Sequence, residues 1–184
     1  MSSLPPRRAT VSAPPGAGAS SWERDLRAAS IRRILIIKWS ALGDIAIASA
    51  TMQDLRVAFP DAELELETRP PWDGLFAHDA RFARVHRFEP DGRHRGLSGH
   101  WRWVRRVRRA RYDLVVDLQC NDHTRLLLGL LTASGPGIAH RVGYFRRFPY
   151  NVAPAPDATR HHSHDYARAA LRAGGIEART ERPV

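Results

Sequence analysis

The fold is decided by residues 33–59, which read RILIIKWSALGDIAIASATMQDLRVAF. Residues 34–37 form a continuous apolar run, which is typical of a strand buried on both faces of a parallel sheet. A turn of small residues follows, and apolar side chains then recur at helical spacing at Ile45, Ala48, Met52, Leu55 and Phe59. The stretch therefore predicts a strand, a short loop and a helix, with Asp44 at the beginning of the helix.

The rest of the chain alternates between strand-like and helix-like segments. Strands are predicted at residues 62–68, 84–88, 114–118 and 141–144. Helices are predicted at residues 72–78, 100–110, 122–132 and 164–173. This alternation predicts βαβ units, and hence an α/β fold in which helices cover both faces of a parallel sheet. Residues 1–30 are rich in Pro, Ala, Ser, Gly and Arg without apolar periodicity, so we expect a disordered tail there.

The composition narrows the class of protein. The formal net charge of +10 indicates an anionic partner, although a general preference for arginine is the alternative explanation, because Lys38 is the only lysine. No apolar run reaches the ~18–20 residues that cross a bilayer. Arg7 and Arg8 are not followed by the apolar segment of a secretory signal. The single Cys120 fits the reducing cytosol, so we expect a cytoplasmic protein.

The loop before the first helix, Trp39-Ser40-Ala41-Leu42-Gly43-Asp44, is the first candidate site. It has neither the glycine spacing of a dinucleotide-binding loop nor that of a phosphate-binding P-loop. Asp44 has two interpretations that the sequence alone does not separate. It caps the helix that follows, or it is a carboxylate at a strand end that takes a proton from a hydroxyl group.

Four stretches together resemble one family. They read RILIIKWSALGDIAIASATMQDLRVAFPDAELE, RRARYDLVVDLQ, HRVGY and SHDYARAALRAGGI. In this order they resemble the ADP-heptose:lipopolysaccharide heptosyltransferases, glycosyltransferase family 9, over about residues 31–176. Each motif is modest by itself, and the ordered set is fairly specific.

The resemblance implies the N-terminal half of a two-domain GT-B glycosyltransferase. Residues 31–176 would be a Rossmann-like domain that binds a lipid A–core glycan acceptor, and residues 177–184 the start of the interdomain linker. The donor, ADP-heptose, would bind a C-terminal domain that this sequence does not contain. The implied reaction is an inverting transfer that uses no metal or cofactor. We therefore expect an acceptor-binding half that is inactive alone, or one that works with a separate donor-domain polypeptide.

The resemblance also implies roles for individual residues. Asp44 would be the general base. The acceptor-binding residues would be Lys38, Ser40, Gly43, Gln119, Asn121, His123 and Thr124. Two of these have structural alternatives: Lys38 as a lysine at a strand edge, and Gln119 as a hydrogen-bonding residue at a helix entry. Cys120 and His123 depart from the family pattern, which leaves the recognition of acceptor charge open.

Two further clusters invite other functions. His161, His162 and His164 suggest a metal, but no further ligands occur at a recognisable spacing, so we predict no metal site. The densest basic patch consists of Arg102, Arg105, Arg106, Arg108, Arg109 and Arg111, with Trp101 and Trp103. It predicts either a solvated helix face or peripheral contact with the anionic inner membrane. We expect no nucleic-acid partner, because no RNA- or DNA-binding signature is present. The alternative function is a non-enzymatic module that binds anionic lipid or glycan.

Overall fold

The structure is a computed structural model that describes residues 21–184 of the chain. The described residues form one five-stranded sheet in the order β3-β2-β1-β4-β5, and all neighbouring strands are parallel. The strands are β1 (Arg33–Ile37), β2 (Glu63–Thr68), β3 (Arg84–Arg87), β4 (Leu114–Asp117) and β5 (His140–Val142). The helices are α1 (Leu42–Ala58), α2 (Gly96–Ala110), α3 (Asp122–Ala133) and α4 (Ser163–Ala173). Short 3₁₀ helices span Leu26–Ala28 and Trp72–Phe76.

Helices cover both faces of the sheet, as predicted. On one face, Ile34 and Ile36 of β1 pack into a core with α1 and α4. On the other face, Leu35 and Ile37 of the same strand pack into a core with α2 and α3. Strand β1 is fully buried from Ile34 onward because it lies at the centre of the sheet and both faces are covered.

The register places the ends of the strands beside one another. Ile37, the last residue of β1, lies opposite Glu67 of β2 and Asp117 of β4. Because all the strands run in one direction, the loops after β1, β2 and β4 meet at the carboxyl edge of the sheet. In open α/β sheets this edge is where ligands bind.

Strand β2 buries its acidic side chains as well as its leucines. Leu64 and Leu66 point into the core beneath α1, and the intervening Glu65 and Glu67 point to the other face. Both glutamates are almost completely shielded from solvent, with 3% and 0% of the residue exposed. Buried carboxylates need partners. Glu65 binds Arg33, His86 and Tyr112, and Glu67 binds Trp39, Trp103 and Arg106.

Residues 21–30 differ from the expectation of a disordered tail. Leu26 is fully buried, and Asp25 caps the first 3₁₀ helix by accepting a hydrogen bond from the Arg27 N–H. Backbone bonds from Arg24 and Leu26 fasten this segment to the end of α4. Residues 1–20 of the predicted tail lie outside the described residues.

The remaining differences are at element boundaries. Helix α2 begins at Gly96, four residues before the predicted start. The predicted helix at residues 72–78 is the 3₁₀ helix Trp72–Phe76. Within residues 21–184, none of the helices is both long enough and apolar enough to cross a membrane.

The C-terminal segment, residues 177–184, lies along α1. The carboxylate of Asp54 accepts hydrogen bonds from the N–H and the hydroxyl of Thr180, at 3.0 and 2.7 Å. The N–H of Val184 donates to the hydroxyl of Ser49 at 2.9 Å. These contacts hold the segment close to the beginning of α1, where Asp44 lies.

Candidate active site

Asp44 is the third residue of α1 and does not cap it. The N-cap position is Ala41, and no side chain within residues 21–184 caps this end of the helix. The capping interpretation of Asp44 is therefore wrong. Because α1 follows β1, Asp44 lies at the carboxyl edge of the sheet. Its side chain is 49% exposed, so the carboxylate is open to solvent. A carboxylate in the first turn also interacts favourably with the helix dipole.

Lys38 follows β1 directly and faces Asp44. Its ammonium group lies 3.8 Å from Oδ2 of Asp44, and only 4% of the residue is exposed. Burial lowers the pKa of Lys38, while the negative charges of Asp44 and Asp117 oppose that change. Lys38 is buried and follows the central strand of the sheet, so it is not an exposed lysine on an edge strand.

The other carboxylate oxygen of Asp44 faces helix α4. The hydroxyl of Ser163, the first residue of that helix, donates to Oδ1 of Asp44 across 3.4 Å. Asp44 thus lies between the ammonium group of Lys38, just after β1, and the hydroxyl of Ser163 in α4. It opens into a cleft of about 550 Å³ whose lining includes Ile47, Ser163, Asp165 and Glu181.

Gln119 joins the loop before α1 to the second loop of the site, which follows β4 and leads into α3. Its side-chain oxygen accepts hydrogen bonds from the backbone N–H groups of Trp39 and Ser40, at 3.0 and 3.2 Å. The helix-entry role suggested for Gln119 belongs instead to Asn121, which is the N-cap of α3 and accepts from the Thr124 N–H at 2.8 Å. The first loop also contains a cis peptide between Ser40 and Ala41.

Thr124 does not belong to the accessible site. The residue is fully buried, and its hydroxyl donates to the backbone oxygen of Asn121 at 3.0 Å. Its assignment as an acceptor-binding residue is therefore wrong, since no ligand at the sheet edge can reach it. Asn121 remains at the edge, but its side-chain oxygen is already engaged in the cap.

His123 lies in an aromatic cluster at the same edge. Its ring meets Trp39 edge-on at 5.3 Å between centroids, and its Nε2 lies 3.2 Å from Nε2 of His100 in α2. Burial lowers the pKa of His123, and the neighbouring His100 and Arg69 lower it further. His123 is therefore a neutral hydrogen-bonding group at neutral pH. Arg69, which follows β2 and was not predicted as a site residue, brings a cation to this part of the edge.

Asp117 holds the second loop in place through hydrogen bonds to its backbone. It is fully buried at the end of β4, and its Oδ1 accepts hydrogen bonds from the N–H groups of Gln119 and Cys120 at 2.9 and 2.8 Å. Its Oδ2 accepts from the hydroxyl of Tyr150 at 2.7 Å. Burial raises the pKa of Asp117, while these hydrogen bonds oppose that change. Asp117 belongs to the sequence motif RRARYDLVVDLQ, but it was not predicted as a site residue.

The structure therefore brings together part of the predicted site. Lys38, Ser40, Gly43 and Asp44 share the first loop and the start of α1, and Gln119 fixes the second loop against them. Among the described residues, a Cβ atom at Gly43 would meet no atom within 4 Å, so none of them covers the backbone there. A base, a cation and exposed backbone at one edge can bind a hydroxylated ligand and remove a proton from it.

The three histidines, His161, His162 and His164, line the same cleft as Asp44. Sequence analysis considered them only as metal ligands and did not place them near the predicted base. Across residues 21–184, no group of three or more His, Cys, Asp or Glu side chains is arranged to hold a metal ion.

Comparison with known proteins gives similarity at the level of structure. No protein-family model matches the chain, and no curated protein matches it in a sequence search. Among solved structures, the glycosyl transferase family 9 protein from Veillonella parvula is similar with a TM-score of 0.67 and 20% identity, covering 83% of this chain and 44% of its own.

Two Escherichia coli structures are also similar. Heptosyltransferase WaaC with ADP-2-deoxy-2-fluoro heptose has a TM-score of 0.57 at 20% identity, covering 82% of this chain and 51% of its own. ADP-heptose lps heptosyltransferase II has a TM-score of 0.59 at 20% identity, covering 82% and 45%. The chain thus spans about half the length of these proteins. The predicted Rossmann-like parallel fold is confirmed, and it is the fold found in part of these GT-B glycosyltransferases.

Proposed function

We propose that this chain is the acceptor-binding half of a heptosyltransferase-like glycosyltransferase. The reaction is the inverting transfer of a sugar from a nucleotide-sugar, such as ADP-heptose, to a hydroxyl of a lipopolysaccharide core acceptor. One observation carries the proposal: the half-exposed carboxylate of Asp44 lies between Lys38 and Ser163 at the mouth of a cleft. The fold and the ordered sequence motifs support the same class of enzyme.

In the proposed reaction, Asp44 acts as the general base. An acceptor hydroxyl donates a hydrogen bond to the carboxylate. Its oxygen then forms a bond to the anomeric carbon of the donor sugar, and the bond from that carbon to the diphosphate oxygen breaks. The proton passes to Asp44 and the nucleoside diphosphate leaves with the electron pair. A single displacement inverts the anomeric configuration.

The groups around Asp44 support this role. Lys38 places a positive charge 3.8 Å from the carboxylate of Asp44, so the two groups attract each other across the mouth of the cleft. The Ser163 hydroxyl orients the other oxygen. Gly43 puts no side chain over the first turn of α1, so an acceptor can approach the backbone N–H groups there. We propose that Ser40, Gln119 and His123 provide further polar contacts to the acceptor.

The donor half of the reaction requires groups beyond those described. The chain covers about half of the similar glycosyltransferases. We therefore propose that ADP-heptose binds a second domain or a separate polypeptide, and that these 184 residues transfer no sugar on their own. The proposed displacement uses no cofactor. We place it in the cytoplasm, on acceptors anchored in the inner membrane.

A titration with a deacylated lipid A–core oligosaccharide tests acceptor binding by the purified chain. Amide resonances of Ser40, Gly43 and His123 are expected to shift in ¹H–¹⁵N spectra. Transfer is then assayed with ADP-heptose, with and without a donor-binding half supplied in trans. Failure of the oligosaccharide to bind, or shifts confined to other surfaces, would contradict the proposal. Binding without transfer in the complemented assay would identify the non-enzymatic binding module instead.

Replacement of the base separates binding from chemistry. In the complemented enzyme, Asp44→Asn is expected to lower kcat by about 10²–10⁴, because proton transfer to a positioned base contributes that much. Acceptor affinity should change little, since the asparagine oxygen still accepts a hydrogen bond. The control is Asp122→Asn, which alters a 95% exposed first-turn acid of α3. Unchanged turnover in Asp44→Asn would remove Asp44 as the base.

A further inference from the structure

Helix α2 has an outer face that combines apolar and basic side chains. The helix contains five arginines and no acidic residue. Trp103, Val104 and Val107 are buried against the sheet. On the opposite side, Leu97 is 78% exposed and Trp101 is 45% exposed. Leu97, Trp101 and Arg105 are spaced by four residues, so they form one line along the outer surface of the helix.

The structure separates the arginines of this helix into two groups. Arg106 forms an ion pair with the buried Glu67, and Arg108 donates to the backbone oxygen of Leu131 and to Ser134. Arg102 donates to the backbone oxygen of Arg93. These three arginines hold the helix in place. Arg105 and Arg109 are exposed, and within residues 21–184 neither side chain has a hydrogen bond or an ion pair. They are therefore available to an anionic partner.

The position of this face relates it to the candidate active site. His100, which lies between Leu97 and Trp101 in the sequence, approaches His123 of α3 to 3.2 Å, and His123 contacts Trp39 of the first loop. The first turns of α2 thus lie at the carboxyl edge of the sheet, where Asp44 is found. A partner that contacts Leu97 and Trp101 would therefore lie close to the carboxyl edge of the sheet.

We propose that this outer face, made of Leu97, Trp101, Arg105 and Arg109, docks the protein on an anionic phospholipid surface. Tryptophan and leucine insert at the headgroup boundary, and arginines interact with the lipid phosphates. A nucleic acid would account for the arginines, but it would not account for an exposed leucine beside them. The docking surface rests on the features of α2 and needs neither a sugar donor nor Asp44.

Vesicle sedimentation of the purified chain tests the proposal without any sugar substrate. The chain is expected to bind vesicles that contain phosphatidylglycerol, and to bind poorly to phosphatidylcholine alone. Binding should weaken as salt is raised. The double variant Arg105→Gln with Arg109→Gln should lower the partition coefficient roughly 30-fold, at about 1 kcal/mol for each cation. The charge-matched control, Arg84→Gln with Arg172→Gln, lies outside α2 and should bind like the wild type.

The apolar part of the outer face is tested by a second pair of variants, one on the face and one control. Leu97→Glu should abolish sedimentation, whereas Val57→Glu should not, because Val57 is a 66% exposed residue of α1 on the opposite side of the sheet. Tryptophan emission should shift to shorter wavelength on binding, and Trp101→Phe should remove most of that shift. Equal binding to neutral and anionic vesicles would overturn the proposal, as would loss of binding in both glutamate variants. Binding to RNA in place of vesicles would also overturn it.

Discussion

At the scale of single residues, replacement of Gly43 is expected to affect stability and acceptor binding in opposite directions. In the part of the chain that the structure describes, a Cβ atom at this position meets nothing within 4 Å. Because alanine favours a helix over glycine, Gly43→Ala is expected to raise the free energy of unfolding by about 0.5 kcal/mol. The same methyl group covers the backbone that the proposed acceptor approaches, so acceptor affinity should fall. Urea denaturation and the oligosaccharide titration measure the two effects. Unchanged affinity would place the acceptor away from the start of α1.

Glu65 makes stability depend on pH. Desolvation raises the pKa of this buried carboxyl, but hydrogen bonds with His86, Tyr112 and Arg33 outweigh it and lower the pKa from 4.5 to about 2. Between those values the folded state binds fewer protons than the unfolded state. Glu65 therefore contributes stability above pH 4.5, and that contribution is lost as the pH falls toward 2.

The difference between the wild type and Glu65→Gln measures this contribution. It is expected to be about 3 kcal/mol at neutral pH and to shrink toward zero near pH 2, as followed by urea denaturation. The control is Glu63→Gln on the same strand, where the side chain is 61% exposed and should show little dependence. A difference that stays constant with pH would show that Glu65 acts by packing alone.

Sequence reasoning identified some of these residues and missed others for a physical reason. Asp44 and Lys38 were predictable because both lie next to the loop that follows an obvious buried strand. The burial of Glu65 and Glu67 was not, because alternating acids in a strand are typical of a solvent-exposed face. Their partners Tyr112 and Arg106 lie 47 and 39 residues away in the sequence. Only the packing of α2 onto the sheet brings these groups together.

At the scale of elements, the carboxylate of Glu67 fastens helix α2 to the sheet. It accepts hydrogen bonds from the indole N–H groups of Trp39 and Trp103, and it pairs with Arg106. Glu67→Ala leaves these donors without their acceptor, so we expect a loss of about 3 kcal/mol in the free energy of unfolding. Glu67→Gln retains one acceptor oxygen and should cost less. Amide hydrogen exchange in α2 should accelerate more than in α4. Equal acceleration in both helices would contradict a local role.

The elements themselves were predictable to different degrees. Strands β1 and β4 were located within one residue, because a strand buried on both faces has a continuous apolar run. The start of α2 was missed because residues 96–99 carry no apolar periodicity. That error concealed the exposed Leu97, which joins the already predicted Trp101 on the outer face.

At the scale of the whole molecule, several side chains bind the C-terminal segment to the domain, among them Asp54, Ser49 and Arg168. Asp54 accepts two hydrogen bonds from Thr180, and the same segment contributes Glu181 and Pro183 to the cleft beside Asp44. Asp54→Ala is expected to loosen the segment around Thr180, so that its amide exchanges about tenfold faster, which corresponds to 1.4 kcal/mol, while the bonds to Arg168 and Ser49 remain. Glu177→Ala is the control, because it removes only the exposed pair with Arg179. Unaltered exchange at Thr180 would show that other contacts hold the segment.

The bridge made by Gln119 limits how this protein can be redesigned. One amide oxygen serves two backbone groups of a different loop, those of Trp39 and Ser40. A chimera could replace only the loop after β4 with a loop that has no side-chain oxygen at position 119. Such a chimera would leave the N–H groups of Trp39 and Ser40 without this acceptor. Grafts intended to alter substrate preference must therefore exchange the two loops as a single unit.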